Sequence, residues 1–409
     1  MKIFFSVGEP SGDLHGANLV RSLHKQYQGV RCVGYGGPRM EAEGCELHED
    51  LTRYALMGFL PVIGKLPMFY RLMKRAEKYF QDDYLAKTFR HAAISREKYQ
   101  NINIQVRSCI EAFVQGVRTF MQDHPEKTPA WATPPEAWQV VALSRFIIFG
   151  WPLGEAYGDL RRGGHKVQDL PYRGSNQWVI SPNRSDLGVP IALIDPHLSW
   201  YEQFRFYECR LYGGGIQFSG LVIVGTPFSG LGHTKYLSIA MTTGGPDTAD
   251  IFEVEIDPEN STRYRYDGEW RALSVRREKL GIKKGDSVEW REVTIESTHH
   301  GPILTRRGNR VYAVAISYAE QVLVQEQFYR MIQARNLEEM KLALSMLQVM
   351  AQNIMVGTVQ GDIFYLRNGR VPVRPIGFDF SRPVPGNTSA SEWQGIHPIS
   401  DLIQMSNPS

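Results

Sequence analysis

The stretch RGSNQWVI, residues 173–180, decides how this chain is read. Gly174 marks a turn and Trp178 to Ile180 reads as a strand, so Ser175 stands where the chain passes from a turn into extended backbone. A serine hydroxyl is a poor nucleophile unless a base takes its proton, and the usual local signature, Gly-x-Ser-x-Gly, is absent around Ser175. If the Gly174–Ser175 bond were cut, Ser175 would be a chain terminus. Its α-amino group, with an ordinary pKa of about 7.7 to 8, would then serve as the base near neutrality. Gly174 has no side chain and would let the hydroxyl reach its carbonyl for an N-to-O acyl shift. Read alone, the same serine is a turn residue.

The bulk properties set limits. The 409 residues are 43% hydrophobic and 22% charged, with a formal net charge of +3, the composition of a globular protein long enough for roughly two or three cores. So small a net charge excludes a basic nucleic-acid stripe or a polyanionic tail, and pairs such as Arg161-Arg162 read as solvated surface. Cys32, Cys45, Cys109 and Cys209 lack CxxC spacing and read as buried thiols. The start, MKIFFSVGEPSGD, has too few apolar residues before Gly8 for a secretion signal, and no window holds about 18 uninterrupted apolar residues. The first reading predicts a cytoplasmic protein and the second predicts no membrane-spanning helix.

Along the chain, Ile3–Val7 reads as a buried strand, GEPSGD (8–13) as a loop, Leu14–Tyr27 as a helix and Val30–Tyr35 as a second strand, together a parallel β-α-β unit. GEPSGD matches neither a dinucleotide nor a P-loop fingerprint. From Val106 to Met121 apolar residues recur at helical spacing until Pro125. A Pro-rich connection follows (124–138), whose tryptophans are expected to pack, and VVALSRFIIFGW (140–151) resumes an apolar element. After Gly174 the texture becomes β, with short runs at Trp178–Ile180, Ile191–Ile194, Leu221–Val224, Tyr236–Ala240 and Ile251–Ile256. A helix over Asn336–Met350, with Asn336 at its N-cap and Glu339 at N3, and a hairpin around Asn368-Gly369 complete the reading. His299 and His300 do not suggest zinc, since adjacent histidines point in different directions and no third ligand is spaced suitably.

Here a resemblance enters. GSNQWVI, followed by DPHLSW (195–200), LGHTKYLSIAMTTGGPDTADIFEVEI (231–256) and HHGPIL (299–304), resembles the penicillin acylase family of N-terminal-nucleophile hydrolases. It extends through FRHAAISREKYQ (89–100) and GWPLGEA (150–156) upstream and to PVPGNTSASEWQGI (383–396) downstream, from about residue 81 to the end. The resemblance implies that Ser175 is a nucleophile released by autocatalytic cleavage after Gly174, leaving two partner chains and acting on a small acyl-amide substrate. It places His197 near the nucleophile, as in the branches that take aliphatic acyl chains. It puts Thr243 where a backbone N–H supplies half of the oxyanion hole, and Phe149 on the segment lining the acyl pocket. Glu155, Asp247 and Asp250, with the backbone carbonyl of Ala249, fall where the family holds a structural calcium, an ion suited to hard oxygen ligands.

Two departures accompany this. The family's second oxyanion donor is an asparagine in a segment beyond the part matched by MSNPS at residues 405–409, so the resemblance implies a truncated and impaired acylase. Residues 1–80 instead resemble the N-terminus of lipid-A-disaccharide synthase through GEPSGDLHGANLVRSL (8–23), VGYGGPRMEAEGCE (33–46) and ALMGFLPVIGKLP (55–67). That would make Gly8, Glu9, Ser11, Gly12 and Asp13 face acceptor sugar or lipid. The expected fold is α+β: a partial αββα sandwich over 175–409, preceded by a helical segment over 81–174 and by a Rossmann-like α/β half-domain over 1–80. Three readings of function stand together: an acylase-type amidohydrolase, a glycosyltransferase of lipid A synthesis, and a catalytically dead fusion of two gene fragments.

Overall fold

The structure, a computed structural model, describes residues 2–6, 10–27, 29–50, 79–167, 174–198, 204–284 and 287–408. The motif at 55–67, the loop residues Gly8 and Glu9, and Ser199 and Trp200 lie outside the described residues. Contacts divide the chain into two units, Met1–Tyr79 and Phe80–Ser409.

In the first unit, β1 (Lys2–Ser6), α1 (Pro10–Gln26), β2 (Arg31–Gly36), α2 (Pro38–Ala42) and β3 (Glu46–Asp50) build a parallel sheet of order β1-β2-β3. The helix begins at Pro10, inside the segment read as a loop. A proline lacks the N–H that a first turn leaves unpaired anyway, and its φ is preset for a helix. Ala17, Val20, Cys32, Met40 and Cys45 form the core. Gly34 has φ +143°, and a Cβ there would sit 1.9 Å from the Phe5 carbonyl oxygen, so only glycine fits against β1. Asp13 is buried. Its carboxylate accepts from the N–H groups of Gly37 (2.9 Å), Arg39 (3.0 Å) and Met40 (3.0 Å), capping α2 across space. The acidic residue expected to face a sugar or lipid is occupied with holding its own fold.

After a helical run over 79–88, the second unit continues with α3 (His91–Lys98), α4 (Ile104–Asp123), α5 (Ala137–Phe149) and α6 (Pro152–Arg162). Asn103 caps α4 through the Gln105 N–H at 2.9 Å. The ribbon β4 (Gly174–Ile180) and β5 (Ile191–His197) follows, then β6 (Phe206–Gly213), β7 (Ile216–Ile223), β8 (Leu231–Thr234), β9 (Leu237–Thr242) and β10 (Ala249–Glu255). Two further ribbons are β11 (Arg263–Tyr266) with β12 (Glu269–Ala272), and β13 (Ser274–Lys284) with β14 (Ser287–Ser297). Next come β15 (Ile303–Arg307), β16 (Arg310–Ile316), α7 (Val324–Gln333) and α8 (Leu337–Leu344). The last strands are β17 (Gln352–Thr358), β18 (Ile363–Asn368), β19 (Val384–Pro385) and β20 (Gln404–Ser406).

Two larger sheets organise these strands, one of order β20-β18-β17-β9-β8-β7-β6 and one of order β15-β16-β10-β19. The larger of two apolar cores runs from Val141 and Ile148 on α5 through Phe218, Ile239 and Ile354 of the first sheet to Ile251 and Val314 of the second. The unit is therefore a mixed α+β structure, with the β4–β5 ribbon packed on β9 and β17.

Several local expectations change. Asn368-Gly369 is not a hairpin turn: β18 ends at Asn368, whose buried amide donates to the carbonyls of Val349 (3.2 Å) and Met350 (3.0 Å). Asn336 does cap α8 through the Glu339 N–H (2.9 Å), but the helix stops at Leu344 and Leu347 turns to φ +48°. Trp131 is 77% exposed rather than packed, whereas Trp138 is half-buried beneath the Arg96 guanidinium. Cys32 and Cys45 are buried, Cys109 and Cys209 partly so, and all four are free thiols.

Candidate active site

Ser175 is the second residue of β4, where antiparallel pairing sets it opposite Pro196 and sets Gly174 opposite His197. Its hydroxyl donates to the Gly174 carbonyl oxygen, so the nucleophile candidate lies against the peptide group on its own N-terminal side. The His197 backbone N–H approaches Ser175 Oγ at 3.4 Å. The His197 imidazole does not join it: Nε2 lies 2.7 Å from Asp195 Oδ2, an oxygen that also accepts from Asn176 Nδ2 at 3.2 Å. Those two hydrogen bonds, Asn176's the larger effect, hold the Asp195 carboxyl below its ordinary range.

Thr243 follows the last residue of β9. Gly244 (φ +100°) and Gly245 carry the chain away from it, and a Cβ at Gly245 would stand 2.3 Å from the Ala351 carbonyl carbon. Asn353 of β17 ties this corner to the serine strand. Its Nδ2 donates to the Thr243 carbonyl (3.0 Å), its Oδ1 accepts from Tyr365 Oη (2.8 Å), and its backbone carbonyl accepts from Gln177 Nε2 (3.1 Å). Ser175 and Thr243 both line one apolar cavity of about 50 Å³, with Ile147, Ile148, Trp151, Phe228, Met241 and Phe328 among its walls. Such a space suits an apolar group held beside a reacting centre.

Phe149 lies apart from that cavity. Its ring is buried against Phe89 (5.2 Å between centroids), His91 (4.6 Å) and the Arg145 guanidinium. The residues of α5 that do face the cavity are Ser144, Ile147 and Ile148. A helix advances about 100° per residue, so Phe149, one position beyond Ile148, faces elsewhere.

The acidic residues gather in one partly buried region, although no three of them bring their oxygens within 4.8 Å of one another. Glu155 Oε2 accepts from the Thr248 N–H and hydroxyl, both at 2.8 Å. Arg374 bridges Asp247 (3.0 Å) and Asp250 (2.8 Å), and Trp393 Nε1 donates to Asp250 Oδ2 at 2.6 Å. Asp159, one turn after Glu155 on α6, joins through Arg162 (2.6 Å). Four carboxylates thus face two guanidiniums. Burial pushes Glu155 up to about 8 and Asp159 and Asp250 to about 7, and it raises Asp247 as well; Asp247 adds to the shift at Glu155 and Asp159. Asp159 Oδ2 and Asp250 Oδ1 are buried with no hydrogen-bond partner. Ala249, fully buried, opens β10 between the two aspartates, and its N–H donates to Asp247 Oδ1 (3.3 Å). Excess negative charge and orphaned hard oxygens are what a calcium ion would satisfy, although Arg374 now takes the facing oxygens of both aspartates.

The histidine pair corrects the sequence reading. His299 and His300 leave β14 on a bend closed by the Thr298 N–H to the Gly301 carbonyl (3.0 Å), with Gly301 at φ +146°. The chain is not extended there, so the two rings lie side by side, 3.8 Å between centroids. Both Nε2 atoms sit 2.9 Å from Glu392 Oε1.

Asn353, Asp159, Arg374 and Glu392 were not singled out from the sequence. Only Asp159 left a local signal there, as an acid four residues after Glu155 on one helix face. The others meet their partners at the site across more than 90 residues: Asn353 to Thr243 and Gln177, Arg374 to Asp247 and Asp250, Glu392 to His299 and His300.

Comparison with known proteins gives the family and the fold. Residues 58–409 match the penicillin amidase family and residues 3–86 match lipid-A-disaccharide synthetase. Penicillin G acylase of Escherichia coli is 28% identical over 237 residues, 57% of this chain and 27% of that protein. Penicillin acylase 2 proenzyme of a Pseudomonas species is 26% identical over 253 residues, 61% of this chain and 32% of that one. Lipid-A-disaccharide synthase of Photobacterium profundum is 40% identical over 83 residues, 20% of this chain and 22% of that one. The chain thus spans at most about a third of these relatives. Among solved structures, a thermostable penicillin G acylase from Alcaligenes faecalis superimposes with a TM-score of 0.52 at 24% identity. The match covers 57% of this chain and 42% of that one, a likeness of fold. No helix among the described residues is long and apolar enough to cross a membrane. With most of its length matched to one family, this chain belongs to the penicillin amidase family.

Proposed function

We propose that this protein is an acylase-type amidohydrolase whose nucleophile is Ser175, freed as a chain terminus by cleavage after Gly174. The observation that carries the reading is the serine hydroxyl lying against the Gly174 carbonyl at the lip of an apolar cavity that Thr243 also lines.

In the precursor, Ser175 Oγ would attack the Gly174 carbonyl carbon while its proton passes to the departing nitrogen. The C–N bond breaks, an ester forms and the α-amino group is released. Water then hydrolyses the ester, leaving Gly174 as a carboxylate and Ser175 with a free hydroxyl. In the mature form that α-amino group would take the hydroxyl proton as Oγ attacks an acyl amide, and return it to the leaving amine. The Thr243 N–H is the candidate donor to the developing oxyanion. The walls of the cavity would receive an apolar acyl group. His197 enters through its backbone N–H, with its imidazole held by Asp195.

Calcium belongs to the same reading, held by Glu155, Asp247 and Asp250, with Asp159 and the Ala249 carbonyl near at hand. Bound there, it would neutralise the cluster that fixes the corner after Thr243. Two chains, 1–174 and 175–409, and a small acyl-amide substrate complete the proposal. Intact mass after expression tests it. Two masses matching those chains support a reactive serine, whereas a single uncleaved mass rejects self-processing. Residues 3–86 share their likeness with under a quarter of a glycosyltransferase, and glycosyl transfer is not part of the reading.

A further inference from the structure

We infer that His299, His300 and Glu392 form a binding site for a divalent transition ion of the Zn²⁺ or Co²⁺ type, separate from the acidic cluster and from Ser175. Among the described residues these three are the one group of imidazoles, thiols and carboxylates whose ligand atoms all lie within 4.8 Å of one another. Two imidazoles and one carboxylate are a donor set that favours borderline divalent ions over calcium.

The geometry is suited to an ion in three respects. Both Nε2 atoms stand 2.9 Å from one Glu392 oxygen. Metal bonds of about 2.0–2.1 Å in a tetrahedral site put neighbouring ligands roughly 3.3 Å apart, so the Glu392 carboxylate has to draw back from each Nε2 by a few tenths of an ångström to admit an ion.

The outer nitrogens are already held. His299 Nδ1 lies 2.9 Å from the Tyr264 hydroxyl and His300 Nδ1 lies 3.3 Å from Thr298 Oγ1. Metal-bound histidines characteristically have the second nitrogen fixed this way. A hydroxyl both donates and accepts, so each imidazole can move its proton from Nε2 to Nδ1 and stay neutral, turning both Nε2 lone pairs inward. No net proton need leave the protein.

The rings are also immobilised while the mouth stays open. His300, 1% exposed, stacks on Phe252 (4.0 Å between centroids, 12°). His299 and Glu392 keep about a third of their side-chain surface in solvent, leaving a path for the ion and room for water as further ligands. Without an ion, the carboxylate ties the two imidazoles. With one, the turn after β14 is fastened to the segment around Glu392, 92 residues onward.

The test uses the full chain, stripped with chelator and returned to buffer holding excess calcium so that the acidic cluster is not the site being read. Zn²⁺ is titrated by calorimetry, and Co²⁺ by its visible absorption. One equivalent bound at micromolar concentration is expected. Glu392→Gln and, separately, His299→Gln should each weaken it by at least roughly tenfold. His299 is partly exposed, so its substitution keeps the test valid should Glu392→Gln disturb the fold. Failure to bind either ion below millimolar concentration overturns the inference. So does binding that survives both substitutions, which would belong to another pair such as His397 and Asp401, 3.0 Å apart.

Discussion

Asn353 holds the Thr243 carbonyl through its side-chain amide at 3.0 Å while its own backbone carbonyl takes the Gln177 amide at 3.1 Å. One residue therefore sets the corner that aims the Thr243 N–H relative to the strand that carries Ser175. Replacing it by alanine leaves the Thr243 carbonyl and the Tyr365 hydroxyl without these partners, at a cost on the order of 1–3 kcal/mol. Asn353→Ala is expected to slow cleavage after Gly174 by roughly tenfold or more at a temperature where the protein remains folded. Following the two chain masses over time beside a thermal melt separates misplacement from unfolding. Wild-type processing in a folded variant would remove Asn353 from the site.

For Ser175→Ala the expected outcome is one intact chain under all conditions, with a melting temperature close to wild type, because only a half-buried hydroxyl is lost. Mass spectrometry decides it. A fragment beginning at residue 175 in this variant would show that a protease, rather than the serine, makes the cut.

Elements with strong local signals were legible in the sequence, and contacts across long separations were not. The periodicity from Val106 onward defines α4 because Val106, Ile110 and Val114 bury one side of its first turns, and Asn336 announces the start of α8 because a cap is a short-range bond. Asn368-Gly369 misled for the opposite reason. A residue pair that favours turns was overridden by burial of the Asn368 amide against two carbonyls far away in sequence. At the site, the resemblance named Ser175, Thr243 and the acids, while Asn353, Arg374 and Glu392 became visible only when strands distant in sequence met. His299 and His300 were read as pointing in different directions, whereas the bend at Gly301 sets their rings side by side.

Arg145 supplies a test of the scaffold independent of chemistry. It is fully buried on α5, donates to the carbonyls of Gln321 and Ala319, and is lowered by burial to about 10. Arg145→Leu strands both carbonyls, and a loss of about 2–5 kcal/mol is expected from the denaturant midpoint. Arg145→Lys should not restore it, since a single ammonium does not reproduce the planar fork that reaches both acceptors. Full rescue by lysine would mean that charge alone matters there.

Crowding the cavity tests the acyl-group reading. Ile223 lines it only half-buried, so Ile223→Trp occupies space without rebuilding the core. In an acyl-amide screen of the processed protein, KM should rise by tenfold or so for long apolar acyl chains and change little for acetyl. An equal effect on both would place the acyl group elsewhere.

The acidic cluster makes a prediction with a definite sign. Glu155, Asp159 and Asp250 titrate in the folded chain near 8, 7 and 7, well above the ordinary carboxylate range. Between about pH 4 and pH 8 the folded state therefore binds more protons than the unfolded one, and stability falls as pH rises. Stripped of divalent ions, the protein should melt several degrees lower at pH 8 than at pH 5. Calcium needs the deprotonated oxygens, so it should raise the melting temperature at pH 8 and do little at pH 5. Glu155→Gln removes one charge from the cluster. It should flatten the pH dependence without calcium and shrink the calcium effect. If chelation leaves the melt unchanged at both pH values, the cluster is balanced by Arg374 and Arg162 alone, and calcium leaves the account.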